Sequence, residues 1–232
     1  MPEGKEVQAM FGSIAPRYDR ANHWLSLGID YYWRYRLMQA VKRLNPKVVV
    51  DLATGSGDVA FCLRKHLPAG TTITGLDFCE PMLAEARAKQ VQLPDSQKVS
   101  FAFGDCLALP IASQSVDALT ISFGLRNLQD RAAGLQEMHR VLKPGSGRLY
   151  ILEFSQPYPW LSPLYKTYLH TLLPKLAGWI TGKANAYEYL GSSIDQFPNH
   201  TTLTKEILQA GFEHVQVHRL TGGIVAIHEA WA

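Results

Sequence analysis

Four aspartates and a pair of glycines carry most of the chemistry legible in this chain. Asp51-Leu-Ala-Thr-Gly-Ser-Gly-Asp58 sets two carboxylates around Gly55 and Gly57. Glycines at that spacing allow a tight turn and a close approach of backbone to a ligand. Asp77 ends a second apolar run 20 residues after Gly57, the offset at which nucleotide-binding α/β proteins hold a ribose diol. Asp105 closes a third run, where it could accept from an adenine amino group. These residues point to a nucleoside-type cofactor. Gly55-x-Gly57-x-x-Ala60 also satisfies the loose dinucleotide pattern, but charge argues against it. Asp51 and Asp58 are poor neighbours for a pyrophosphate and good ones for a cation. S-Adenosylmethionine carries a sulfonium and an ammonium and no phosphate, so an acidic glycine loop suits it. The plainer alternative for these aspartates, Asp58 above all, is a cap on a helix or turn.

Positioning such residues requires alternating strands and helices. Lys47–Ala53 is β-branched and short, as a buried parallel strand should be. Asp58–His66 continues as a helix whose first N–H groups face the turn. Thr71–Asp77 is a second strand, Pro81–Lys89 a helix with proline in its first turn, and Val99–Gly104 and Val116–Gly124 are two further strands. Asp130 can cap a helix to Leu142, ended by Lys143-Pro-Gly-Ser-Gly147. Gly147–Phe154 is a fifth strand, Thr201–Ala210 a helix ended by Gly211, and Phe212–Leu220 with Gly223–Trp231 a closing strand pair. The order predicts an α/β fold, Rossmann-like, with a doubly wound and mostly parallel sheet. Its ligand crevice would lie at the strand C-termini. One domain is expected over 1–232. Within it, 1–45 form a helical lid, 46–155 the cofactor core, 156–200 a substrate-side insertion, and 201–232 the last helix and strand pair.

Composition agrees with a soluble enzyme. The 232 residues are 47% hydrophobic, and Lys+Arg 23 against Asp+Glu 20 gives a net charge of +3, too small to suggest nucleic acid. Cys62, Cys79 and Cys106 form no C-x-x-C pair, so neither a zinc site nor a disulfide framework is expected. The sequence opens on no signal-like segment and holds no membrane-spanning apolar run. A reducing cytoplasm is the expected setting, with contact at the inner face of the membrane left open. His139, His170, His200 and His228 read as satisfied surface or core histidines.

Two segments stand outside the alternation. Residues 1–45 hold the aromatic, basic stretch Tyr31-Tyr-Trp-Arg-Tyr-Arg36, suited to close over a site and exclude water. Gln156–Asn185 holds Lys166, Lys175 and Lys183, no Asp or Glu, and Trp160, Tyr165, Tyr168 and Trp179 among Leu-rich turns broken by Pro163 and Pro174. Such a segment can wall an apolar substrate or face a membrane; the alternatives are sheet-edge packing or a homodimer contact.

Over nearly its whole length the sequence resembles the UbiE/MenG quinone-biosynthesis C-methyltransferases, the demethylmenaquinone and polyprenyl-benzoquinol methylases. The resemblance rests on Phe11…Tyr18-Asp19…Asn22…Ser26-x-Gly28-Ile29…Trp33, the Asp51–Asp58 loop and Ile121-Ser-Phe-Gly-Leu-Arg-Asn127. It continues through Arg140-Val-Leu-Lys-Pro-Gly145, Leu152-Glu-Phe-Ser155, Tyr187-x-Tyr-Leu…Phe197-Pro198 and Leu220-Thr-Gly-Gly-Ile-Val-Ala-Ile-His228. It implies S-adenosylmethionine contacts at Asp51, Gly55, Ser56 (where the family usually has Thr), Gly57, Asp77, Asp105, Cys106 and Ser122. It also implies a prenylated quinol as partner, either demethylmenaquinol or a polyprenyl benzoquinol.

Ring methylation demands positioning of a ring carbon against a methyl group, and removal of a phenolic proton to enrich that carbon. Arg126 and Asn127, just past strand four, point by topology into the crevice. Arg126 is expected to stabilise the developing phenolate and Asn127 to orient the ring oxygen. An arginine does not act readily as a base, so Tyr18 or a bound water is the candidate proton acceptor. The structural alternative for Arg126 is a salt bridge holding the helix at 130–142, and Glu153 reads as structural.

Overall fold

The computed structural model describes residues 8, 12, 13, 15, 19, 22–95, 98–173 and 184–232, the side chains of 184–188 excepted. Tyr18, Phe11, Pro174, Lys175, Trp179, Lys183 and the side chain of Tyr187 therefore lie outside the described residues.

After helical residues at 22–25, the described elements run α1 (Ile29–Leu44), β1 (Val48–Leu52), α2 (Asp58–His66), β2 (Thr72–Asp77), α3 (Glu80–Val91) and β3 (Ser100–Phe103). The second half runs β4 (Ala118–Ser122), a single 3-10 turn Leu125–Asn127, α4 (Arg131–Val141) and β5 (Arg148–Phe154). After it come α5 (Ser162–Thr167), which continues as a π-turn over Tyr168–Leu172, then α6 (Ala184–Gln196), α7 (His200–Gln209), β6 (His214–Leu220) and β7 (Val225–Trp231). The sheet order is β3-β2-β1-β4-β5-β7-β6. The first five strands are parallel, and β7 runs antiparallel to both β5 and β6. The order of winding reverses between β1 and β4, so the crevice of a doubly wound sheet falls at their C-terminal ends.

The expected fourth strand is shorter than read, Ala118–Ser122 rather than 116–124. Phe123 takes φ 57, which ends the strand, and Val116 keeps only an isolated bridge to Leu142. Asp130 caps α4 as expected, its carboxylate accepting from the Ala133 N–H at 2.9 Å.

Alternation along the central strands feeds two cores. Val50, Leu52, Leu119, Ile121, Leu149 and Ile151 pack under α4 and α7, against Leu135, Met138, Leu203 and Ile207. Val49, Tyr150, Leu152 and Ile227 face α1 and α2, against Trp33, Leu37, Met38, Val41 and Leu63. Each such side chain contributes about 1.5–3 kcal/mol on burial, which fixes the register that brings Asp51 level with Thr120. A third cluster, Leu25, Leu169, Leu173 and Ile194, joins the segment before α1 to the insertion.

Candidate active site

A cavity of about 640 Å³ opens at the C-terminal ends of β1 and β4. Its floor is the turn after β1, where Ala53, Gly55 and Gly57 take φ of 47, 56 and 87. A Cβ on Gly57 would lie 2.8 Å from the Phe61 ring and 2.9 Å from that of Phe101, so both conformation and space require glycine there. Gly57 is the N-cap of α2, and Asp58 stands in the first turn.

Asp51 sits beneath this turn with 1% exposure, its two oxygens accepting from Thr54 Oγ1 and Thr120 Oγ1 at 2.6 Å each. Burial pushes its carboxyl up to about 6, against the pull of those two hydroxyls. Asp77 ties β2 to the loop: Oδ2 accepts from the Gly55 N–H at 2.7 Å and Oδ1 from the Cys79 N–H at 2.8 Å. Burial holds Asp77 above the usual carboxylate range, with these backbone donors pulling it back. Asp105 accepts from the Leu107 N–H at 2.9 Å. Burial, then Asp77 and Asp105, push the Cys106 thiol up to about 12, leaving it neutral.

Asp58 does not offer a bare charge. Lys89 Nζ lies 2.9 Å from it and Arg34 Nη2 3.4 Å. Lys89 also pairs with Asp19, and the Ser56 hydroxyl donates to Asp19, so the segment before α1 is tied to the glycine loop. Burial opposes the charge on Lys89, and Asp58 and Asp19 outweigh it, raising its pKa.

At the far side, Arg126 pairs with Glu153 of β5 rather than with α4. Nη1 lies 2.8 Å from Glu153 Oε1 and also donates to the Phe123 carbonyl, while Nε is buried without a partner. Burial pushes Glu153 up and the guanidinium pulls it back, so the structural reading of Glu153 acquires a definite object, the orientation of Arg126. Asn127 Oδ1 accepts from Tyr189 Oη at 3.1 Å. Leu161, Leu164, Tyr165, Tyr168 and Leu172 of the insertion complete an apolar wall.

The structure thus gathers Asp51, Gly55, Ser56, Asp77, Asp105, Cys106, Ser122, Arg126 and Asn127 around one cavity, with Gly57 at the helix start behind the loop. Tyr18 lies outside the described residues. Sequence reasoning missed Arg34, Thr120 and Tyr189, and the histidines are less satisfied than expected. His228 Nε2 donates to the His200 carbonyl at 3.1 Å, but Nδ1 of both rings is buried without a partner.

The residues fit S-adenosylmethionine on the structure's own terms. Ser122 Oγ is buried in the cavity lining with no partner, an orphan that a ligand donor or acceptor would satisfy. Among the described residues lining the cavity, Arg34 and Arg126 are the basic ones, against six aspartates. That balance suits a cationic cofactor and disfavours a pyrophosphate.

Fold and site together define a Rossmann-like, S-adenosylmethionine-dependent methyltransferase. A solved SAM-dependent methyltransferase from Thermotoga maritima matches with TM-score 0.64 at 20% identity, over 96% of this chain and 98% of that one. One from Aquifex aeolicus gives TM-score 0.61 at 18% identity, over 84% and 88%. Both likenesses concern the fold alone. The sequence model of the ubiE/COQ5 methyltransferase family matches residues 2–232, and the chain belongs to that family. A ubiquinone/menaquinone biosynthesis C-methyltransferase of a Geobacter species is 42% identical over 227 residues, 97% of this chain and 96% of that one. The demethylmenaquinone methyltransferase of Thermus thermophilus is 44% identical over 220 residues, 94% and 98%.

Proposed function

We propose that the chain methylates a ring carbon of a prenylated quinol, with demethylmenaquinol as the acceptor. The observation that carries this reading is the continuity of one cavity from the acidic glycine loop into an apolar chamber. That chamber's polar groups include a buried cation, Arg126, beside Asn127. The apolar wall suits a polyprenyl tail and the Arg–Asn pair a ring oxygen. The names of the Geobacter and Thermus relatives support a quinol acceptor, and the joint name of the first favours 2-methoxy-6-polyprenyl-1,4-benzoquinol as the second reading.

When bound, the cofactor supplies an electrophilic methyl group on a sulfonium. On this reading Asp77 takes the ribose hydroxyls and Asp105 and Cys106 the adenine side. Gly55, Ser56 and Gly57 run along the methionine part, Asp51 lies near its ammonium, and Ser122 lines the floor. Arg126, steered by Glu153, stabilises negative charge as the ring hydroxyl loses its proton, and Asn127 orients that oxygen. Tyr18 or a bound water receives the proton. Residues 1–45 act as lid, 46–155 as cofactor core, 156–200 as acceptor wall, and 201–232 complete the sheet, as parts of one domain.

The test is transfer of labelled methyl from S-adenosylmethionine to a short-chain demethylmenaquinol, with a polyprenyl benzoquinol run in parallel under reducing conditions. Turnover of the naphthoquinol is the expected result, and turnover of both would make the enzyme dual. If neither reacts while the cofactor binds, the acceptor reading fails and the methyltransferase class stands.

A further inference from the structure

The cavity's second basic residue has no part in the scheme above. Arg34 sits in the second turn of α1 and lines the cavity at the glycine-loop end together with Asp30, Asp51 and Asp58. Its side chain is only 12% exposed and pairs with Asp30 and with Asp58, the latter at 3.4 Å. Its charge is felt by Asp51 and by Cys62, both of which it pulls downward against burial. Arg34 is therefore the guanidinium under the glycine loop, as Arg126 is the guanidinium beside Asn127.

Neither carboxylate depends on Arg34 alone. Asp30 also accepts from Ser26 Oγ at 2.7 Å and meets His23 Nδ1. Asp58 also holds Lys89. A guanidinium with five N–H donors serves several carboxylates at once. Burying one in a ligand cavity beside acids that already have other donors is costly, and the cost is recovered when an anionic ligand group arrives. The cofactor of this methyltransferase is a zwitterion at its amino-acid end. The aspartates answer its ammonium, but they repel its carboxylate. Among the described lining residues, Arg34 is the cation at that end of the cavity.

We propose that Arg34 binds the carboxylate of S-adenosylmethionine and so selects the cofactor's amino-acid end. Arg34 thereby discriminates an intact methionine moiety from one lacking the carboxylate, whichever acceptor the enzyme methylates. The reading depends on the cofactor and not on the quinol, so failure of either leaves the other standing.

The experiment is calorimetric titration of the whole protein with S-adenosylmethionine and, separately, with decarboxylated S-adenosylmethionine. The wild type is expected to prefer the intact cofactor by about tenfold or more, the scale of a charge-assisted hydrogen bond. Arg34→Gln is expected to lose that preference by weakening the intact cofactor while leaving the decarboxylated one unchanged. Arg34→Lys, which keeps a charge without the planar fork, should fall between them. Equal affinity of the wild type for both ligands overturns the proposal without any variant. So does an Arg34→Gln protein that keeps the preference, or one that loses both ligands alike.

Discussion

Arg126 and Glu153 meet at 2.8 Å with side chains 4% and 1% exposed, one on the turn after β4 and the other on β5. A pair this deep cannot be opened cheaply, because removing one partner leaves the other charged in a dry place. Glu153→Ala is expected to cost about 3–5 kcal/mol in denaturant unfolding, whereas Glu153→Gln, which still accepts a hydrogen bond, should cost less. Arg126→Lys keeps the charge but shifts it away from the ring oxygen. Its kcat should fall by about 10²–10³-fold, the range seen when one preorganised donor is lost, with cofactor affinity unchanged. A parallel fall in cofactor affinity would place Arg126 outside the acceptor's end of the cavity.

Tyr189 Oη donates to Asn127 Oδ1 at 3.1 Å across the join between α6 and the turn after β4. The Asn127 amide nitrogen reaches the Phe123 carbonyl at 3.5 Å and has a second N–H to offer a ring oxygen. Tyr189→Phe should therefore reduce kcat/KM for the quinol by about threefold to tenfold, the worth of one net hydrogen bond. Paired with Asn127→Ala, it should add little, because both changes remove one arrangement. Fully additive effects would sink the idea that Tyr189 acts through Asn127.

The cofactor half was legible because its signals are local. Asp51 is the last residue but one of β1, Asp77 ends β2 and Asp105 follows β3, and the glycines mark the turn between a strand and a helix. Sequence spacing alone places such residues on one edge of a parallel sheet. Arg34, Thr120, Glu153 and Tyr189 were not assigned to the site because pairing between distant elements brings them there. Thr120 meets Asp51 only through the β1–β4 register, and Arg126 meets Glu153 only because β4 and β5 are neighbours. The pairing of Arg34 with Asp58 depends on α1 crossing the sheet beside α2. Likewise, sequence could foresee a buried His228 but not that its Nδ1 would lack a partner.

Leu27 and Leu164, which line the cavity, are 83% and 70% exposed, and Trp160, next in sequence to the lining residue Leu161, is 76% exposed. No helix among the described residues is long and apolar enough to cross a membrane. Trp160→Ser is expected to weaken flotation with quinol-loaded vesicles and to raise KM for a long-chain acceptor in them. KM for a short-chain, soluble acceptor should stay as in the wild type. A rise for both acceptors would assign Trp160 to the chamber rather than to the membrane.

Gly124 closes the turn after β4 against the loop after β1. A Cβ there would lie 2.5 Å from Ala53 Cβ, although its φ of −108 suits any residue. Gly124→Ala should thus act by overpacking alone, costing about 1–3 kcal/mol, and should weaken cofactor binding by displacing Ala53 and Gly55. Gly145→Ala is the contrasting case, with φ +70 and nothing within 4 Å of the added carbon. It should lower stability through backbone strain and leave cofactor affinity alone. Equal effects of the two on cofactor binding would contradict the tight joint between the two strand ends.

Two buried groups should tilt stability in opposite directions with pH. Burial lifts Asp51 to about 6 from an ordinary 3.8, so its folded form binds a proton more tightly than the unfolded chain. Its contribution is fully present below about 3.8 and is lost as pH rises through about 6. Burial lowers His228 to about 4 from 6.5, so here the unfolded chain is the better base. That contribution is fully present above about 6.5 and is lost as pH falls through about 4. Each amounts to roughly 3 kcal/mol across its window, and in the wild type they largely offset one another between pH 4 and 6. Asp51→Asn removes the first and should make stability climb more steeply with pH than in the wild type. His228→Gln removes the second and should turn the slope the other way. Urea unfolding of the three proteins across that interval reads the difference directly. Parallel curves would mean that neither group is held away from its ordinary titration by the fold.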